Sequence, residues 1–96
     1  MRFGWDETKE KSNRRKHGIS FEEASTVFGD PLAAIFDDEG HSAGEHREII
    51  IGHSRQDRLL LVCFTERPEE IRLFSARPAT RQEQNDYEES LDLRSL

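Results

Sequence analysis

The sequence lacks most of the features that would point to covalent, cofactor or membrane chemistry. It has one cysteine, Cys63, which can form neither an internal disulfide nor a C-x-x-C metal or redox pair. No glycine loop of nucleotide-binding spacing, no nucleophile elbow and no carboxylate pair of recognisable spacing occurs, so nothing demands an organic cofactor, and none is expected. The four histidines do not suggest a metal either. His41, His46 and His53 follow one another at spacings that match no helical i, i+4 pair and no compact ligand loop, and no bound metal is expected. No apolar run approaches the roughly 18–20 residues of a membrane span, and the first residues lack the charged-then-apolar pattern of a secretory signal. A cytoplasmic protein without a membrane partner is the expectation.

What is present is charge. Of 96 residues, 35% are charged and 33% hydrophobic, which suits one small domain over 1–96 with a thin core and no spacious internal pocket. The net charge of −6 argues against a nucleic-acid partner, but its distribution matters more than its total. The net is +3 over residues 1–20, −7 over 21–50, +2 over 51–81 and −4 over 82–96. A basic face able to meet phosphate can therefore coexist with an acidic face able to meet a basic protein. An ordinary solvated surface would give the same totals.

Met1, Phe3 and Trp5 alternate at the period of a half-buried strand. Asp6 then caps a helix reaching His17, with Glu7 and Glu10 early, Arg14, Arg15, Lys16 and His17 late, and Gly18 as the stop. This helix has no apolar stripe, so it is expected on the surface, pinned by Trp5 before it and Ile19 after it. Ser20 and Glu23 form a capping box opening an amphipathic helix (Phe21, Ala24, Val27, Phe28) that ends near Gly29. Short strands are expected at Leu32–Phe36, Arg47–Gly52, Leu59–Phe64 and Ile71–Ala76, with a loop from Asp37 to His46. Leu59–Phe64, unbroken and apolar, is the expected central strand. Thr80 and Glu83 form a second capping box whose helix turns Tyr87 and Leu91 inward, and residues 90–96 are expected to fray. Short links imply antiparallel neighbours, hence an α+β fold. It would have a single mainly antiparallel sheet, two N-terminal helices and one C-terminal helix, all gathered on one face.

Two clusters carry chemistry. Lys9, Asn13, Lys16 and His17 share one face of the first helix, while Arg14 and Arg15 project elsewhere. The ordinary role of such cations is to complement the helix dipole; a histidine placed like His17 more often caps carbonyls or packs beside the C-cap glycine, and it is also a candidate for proton exchange near neutral pH. Arg72, Arg77 and Arg81 run from the last strand into the last helix, where Arg77 and Arg81 stand beside free helical N–H groups, a plausible phosphate clamp. Salt bridges to Glu66, Glu83 or the acidic middle segment are the structural alternative.

Several motifs occur together and in order. They are Phe3-x-Trp5-Asp6, the run Asn13-x-x-Lys16-His17-Gly18-Ile19-Ser20-Phe21-Glu22-Glu23-Ala24, Phe28-x-Asp30-Pro31, and Ser75-Ala76-Arg77-Pro78-Ala79-Thr80 leading to Tyr87-Glu88. Over residues 1–89 the chain resembles the BrnT toxin family. The resemblance implies a type II toxin–antitoxin toxin with a RelE-like ribonuclease fold, which cleaves RNA without a metal and inhibits translation. A BrnA-like antitoxin would block it and supply the DNA-binding half of an autorepressing complex. DNA would be met only through that partner, and a dimer or a heterotetramer with the antitoxin is compatible. Relatives often carry a strongly basic last helix, whereas this one reads Gln82, Glu83, Gln84, Asn85, Asp86, which lowers its expected share in RNA binding.

Metal-free cleavage needs a 2′-hydroxyl deprotonated, the phosphorane's charge stabilised and the 5′-oxygen protonated. The expected assignment gives the scissile phosphate to Arg77 and Arg81, the RNA backbone to Lys9, Lys16 and Arg72, proton transfer to His17 or Glu83, and base stacking to Trp5. The alternative from another class is a catalytically weak or inactive module that only pairs with an antitoxin-like, DNA-binding partner. A stand-alone DNA-binding repressor fits least, because no helix-turn-helix with a basic second helix is visible.

Overall fold

The structure is a computed structural model that describes residues 1–39 and 44–94. His41 and part of the expected 37–46 loop lie outside the described residues. The chain forms β1 (Phe3–Gly4), α1 (Glu7–His17) and α2 (Phe21–Ser25), which runs into a 3₁₀ turn (Thr26–Gly29). There follow β2 (Ala34–Asp37), β3 (Glu48–His53), β4 (Leu59–Glu66), β5 (Ile71–Pro78) and α3 (Arg81–Arg94).

The five strands make one sheet in the order β1-β5-β4-β3-β2, with β4 in the middle as its unbroken apolar run predicts. Three neighbouring pairs are antiparallel. The sheet is nevertheless mixed, because β1 lies parallel to β5. Short links impose antiparallel pairing only on sequential strands, and β1 and β5 come from opposite ends of the sequence. β1 is also shorter than Met1–Trp5, and Met1 is almost fully exposed.

Helices do not gather on one face. Successive strand residues point to opposite faces, and both faces are apolar here. Ile50, Leu60, Val62, Phe64, Leu73 and Ala76 pack with Ile19, Phe21, Ala24 and Val27 in the larger core. Ile51 and Leu61, on the other face, pack with Tyr87 and, at the margin, Leu91 of α3. Unbroken apolar runs such as Leu59–Phe64 belong to strands buried on both sides. The second face therefore needs cover, and α3 covers one end of it.

α1 confirms its end signals. Asp6 accepts from the Lys9 N–H at 3.0 Å, and Gly18 takes the left-handed conformation (φ 71°) while its N–H reaches the Arg14 carbonyl. The helix is tied down by polar side chains as well as by its flanks. Asn13 is buried, and its amide donates to the carbonyls of Ile19 (2.9 Å) and Ala76 (2.8 Å) and accepts from the Ala76 N–H (3.1 Å). It thus pairs with β5 as a strand would, on the edge that two-residue β1 leaves open. Glu10, also buried, accepts from the Phe21 N–H and from Arg14. α1 consequently stands at the sheet's edge beside the end of β5.

The Ser20–Glu23 box closes on one side only. Ser20 Oγ accepts from the Glu23 N–H at 3.0 Å, but the Glu23 carboxylate turns to Arg58 and Ser54 on the β3–β4 connection. With Arg58 foremost, that site holds the Glu23 carboxyl below its usual range. The expected single helix also breaks into α2 and the 3₁₀ turn.

Candidate active site

On the second face, α3 leaves part of the sheet uncovered, and α1 walls off that part. The result is a cleft of about 470 Å³. Its floor is Ile49, Leu61 and Cys63; α1 contributes Lys9, Ser12, Asn13, Lys16 and His17, and β5 contributes Phe74, Ser75 and Arg77. Arg47 and Asp38 complete the rim. All four residues that share a face of α1 in the sequence therefore line one cleft, opposite an arginine of the last strand. Lys9, Lys16, Arg47 and Arg77 face a single carboxylate, Asp38, in the lining. This is a concentrated positive site on a protein of net charge −6, the condition for attracting an anion despite overall repulsion.

A β-bulge shapes the cleft. Cys63 pairs with Ser75 and Phe64 with Leu73, which leaves Phe74 as the extra residue. Bulges re-aim side chains. Here Leu73 and Ala76 both enter the larger core while Phe74, Ser75 and Arg77 all reach the cleft. Phe74 in turn seats two cations: the Arg47 guanidinium carbon lies 4.0 Å and Lys9 Nζ 5.2 Å from its ring centroid. Attraction to the ring face favours keeping both charges there.

Arg77 is held by Glu83. Its Nη1 donates at 2.7 Å and its Nη2 at 2.8 Å to the two carboxylate oxygens, and Nη1 also approaches the Pro78 carbonyl at 3.3 Å. A guanidinium has five N–H donors in a rigid fork. Three are engaged, and among the described residues the Nε–H and one Nη2–H, which form the other edge of the fork, have no hydrogen-bond partner. Glu83 is itself fixed at the start of α3, where Thr80 and Glu83 complete the expected capping box in both directions (2.9 and 3.1 Å). The Arg77 guanidinium first, with the Thr80 N–H, lowers the Glu83 carboxyl to about 2. Such a carboxylate is ionised at neutral pH, and its two oxygens hold the Arg77 guanidinium from one side.

The remaining expectations divide. Arg81 is exposed and outside the cleft lining, so the structure does not bring it together with Arg77 there. Arg72 lies at the far end of β5 beside Glu70, at 3.5 Å, and also outside the lining. Trp5 is half-buried, packs edge-on against Phe21 at 5.9 Å and against the larger core, and lies outside the cleft lining. His17 is half-buried in the cleft and makes no hydrogen bond among the described residues. Burial first, then Asp38, pushes the Cys63 thiol up to about 11, which favours the protonated thiol at neutral pH.

Sequence reasoning missed Arg47 and Phe74. Arg47 stands inside the most acidic stretch, and Phe74 reads as an ordinary strand residue until the bulge is known. Among the described residues, Asp37, His46 and Glu48 have donor atoms within 4.8 Å of one another and are the group able to approach a metal ion. They lie at the β2–β3 end, outside the cleft lining.

Comparison with known proteins agrees with this picture. A family described as "Ribonuclease toxin, BrnT, of type II toxin-antitoxin system" matches residues 5–83. No curated protein matches the sequence. Among solved structures, the Brucella abortus ribonuclease toxin BrnT is similar, with a TM-score of 0.64 and 25% identity over 84% of this chain and 99% of that one. With its motifs in order and the matched segment spanning most of its length, the chain belongs to the BrnT family of ribonuclease toxins of type II toxin–antitoxin systems.

Proposed function

We propose that this toxin cleaves RNA in the cleft between α1 and β5 without needing a metal ion, and that this is how it inhibits translation. The observation that supports the reading most is the meeting of Arg77 with Lys9, Lys16 and His17 around one concavity. In this reaction a 2′-oxygen attacks the adjacent phosphorus as its proton leaves. The bond to the 5′-oxygen breaks, giving a 2′,3′-cyclic phosphate and a 5′-hydroxyl. Arg77 grips the phosphate through its free Nε/Nη2 edge and stabilises the charge that develops there, because its donors are fixed before reaction. Lys9 and Lys16 hold the flanking backbone, and His17 is the group that moves the proton. Glu83 acts through Arg77 as a positioning residue. A BrnA-like antitoxin neutralises the toxin and carries the complex to DNA.

A second reading keeps one observation in its favour: Arg77 is already engaged by Glu83, as it would be in a module that had lost catalysis. The two readings separate in one assay. Purified toxin is incubated with an RNA oligonucleotide in excess chelator, and Arg77→Ala and His17→Ala variants are compared after circular dichroism confirms folding. Cleavage that persists in chelator and falls on the order of 100-fold in Arg77→Ala is the expected result. Intact RNA with the parent protein favours the module, and parental rates in both variants remove the cleft from catalysis.

A further inference from the structure

β2 is the last strand of the sheet. It pairs with β3 in unbroken register from Ala34 opposite Ile51 to Asp37 opposite Glu48. One step further in the same register, the Asp38 N–H donates to the Arg47 carbonyl at 3.0 Å. Antiparallel ladder bonds fall on alternate residues. The bonded positions are therefore Asp38, Phe36 and Ala34, and the N–H and C=O groups of Ile35 and Asp37 face away from β3. No backbone partner meets them among the described residues.

The side chains on this edge are unusual as well. Ile35 is 52% and Phe36 47% exposed, one on each face of the sheet. Edge strands are normally guarded against pairing by a lysine, a proline or a bulge. β2, which reads Ala-Ile-Phe-Asp, has none of these. Its one charged residue, Asp37, is acidic. Asp37 and Glu48 sit directly opposite one another, a like-charge pair that costs stability unless a cation offsets it. His46 Nε2 lies 3.1 Å from Asp37 and provides that charge only when protonated.

We propose that this edge receives an extended segment of the antitoxin as a sixth strand, its apolar side chains covering Ile35 and Phe36 and its lysines or arginines meeting Asp37 and Glu48. The toxin reading is needed here only for the existence of that partner; the chemistry of the cleft is not. Charge selects the occupant. The acids at this edge, Asp37 and Glu48, suit a basic protein segment and repel RNA phosphates. The location also accounts for neutralisation. Phe36, Ile49, Cys63 and Ser75 form one cross-strand row, and its last three members belong to the cleft. A strand added beside Phe36 lies at the end of the cleft floor opposite α1, where it obstructs an RNA chain without displacing the Arg77–Glu83 pair.

The test is amide hydrogen exchange by NMR on the toxin alone and mixed with the antitoxin encoded by the neighbouring reading frame. Strand addition slows exchange at Ile35 and Asp37 at least tenfold, and less at Phe36, whose N–H is already bonded to β3. Ile35→Pro removes only an outward N–H, so it keeps the β2–β3 ladder while weakening antitoxin affinity at least tenfold. Ile35→Lys, which leaves the backbone unaltered, does the same if the proline variant misfolds. Parental affinity in the folded variants, no protection at Ile35 and Asp37, or no binding of the antitoxin overturns the proposal. So does protection that grows with toxin concentration alone, which marks a second copy, or protection induced by an RNA oligonucleotide. A failure of the nuclease reading shows in the cleavage assay and leaves the exchange pattern unchanged.

Discussion

α1 and α3 flank the same face of the sheet, and neither has a strong apolar stripe, yet one opens a cleft and the other closes a surface. α3 lies flat, with Tyr87 and Leu91 against Ile51 and Leu61, and it excludes water as an amphipathic helix does. α1 stands at the sheet's edge, fixed by Asn13 to the backbone of β5 and by Glu10 to the start of α2. A helix anchored by two polar side chains can keep its cations in solvent above an apolar floor. An apolar anchor would have drawn the helix down onto that floor. The difference shows how a small, acidic domain without room for an internal pocket makes a cationic site: it leaves part of a buried face uncovered and props a helix beside it.

The comparison predicts different consequences when each anchor is removed. Tyr87→Ala empties a buried aromatic site and is expected to cost about 4 kcal/mol in equilibrium unfolding. The folded fraction should still cleave RNA within roughly threefold of the parent, because the cleft lining is untouched. Asn13→Ala is expected to cost about 3 kcal/mol, since it orphans the Ala76 N–H and C=O and the Ile19 carbonyl in fully buried surroundings. Here activity falls with stability, as Lys9, Lys16 and His17 lose their fixed distance from Arg77. Urea titration beside single-turnover cleavage checks both. Equal activity losses in the two variants would mean that the helices are not divided in this way.

How much of this could be read from the sequence follows the same division. Element order, the central position of β4, the Thr80–Glu83 box and the shared face of Lys9, Asn13, Lys16 and His17 are all local patterns, and all are visible in the chain. What stayed hidden depends on partners distant in sequence. The parallel pairing of β1, the placement of α3 on the face opposite α2, and the bulge that turns Phe74 into the cleft leave no local signal. The identical spacing of the two capping boxes makes the same point. Thr80–Glu83 closes on itself and also holds Arg77, whereas Glu23 leaves its box for Arg58. Spacing locates a helix start, but where the carboxylate goes is decided by whichever guanidinium the fold brings near. Arg77 and Arg81 show the same limit: they are close in sequence, but one ends a strand and the other starts a helix, and only Arg77 lines the cleft.

Glu83 is where the two helices' territories meet, and its titration gives the finest test of their division of labour. Its carboxyl lies near 2 in the folded protein against an ordinary value of 4.5, chiefly through Arg77. A depressed folded-state value adds stability that is complete above the unfolded value and is lost as pH falls through the folded one. The contribution should therefore be full at pH 7 and disappear between about 4.5 and about 2. Glu83→Gln keeps an oxygen to accept the Thr80 N–H, so the cap survives and only the charge is removed. Because the side chains of Arg77 and Glu83 are 41% and 29% exposed, solvent screening limits the loss at pH 7 to about 1 kcal/mol. Acid titration of unfolding should show variant and parent converging toward pH 2. The kinetic signature is separate. With its clamp gone, Arg77 is freer to meet phosphate but less well aimed, so KM and kcat should both fall. A stability gap that persists at pH 2 would mean that the carboxylate does not stabilise through Arg77, and an unchanged kcat would mean that it does not position it.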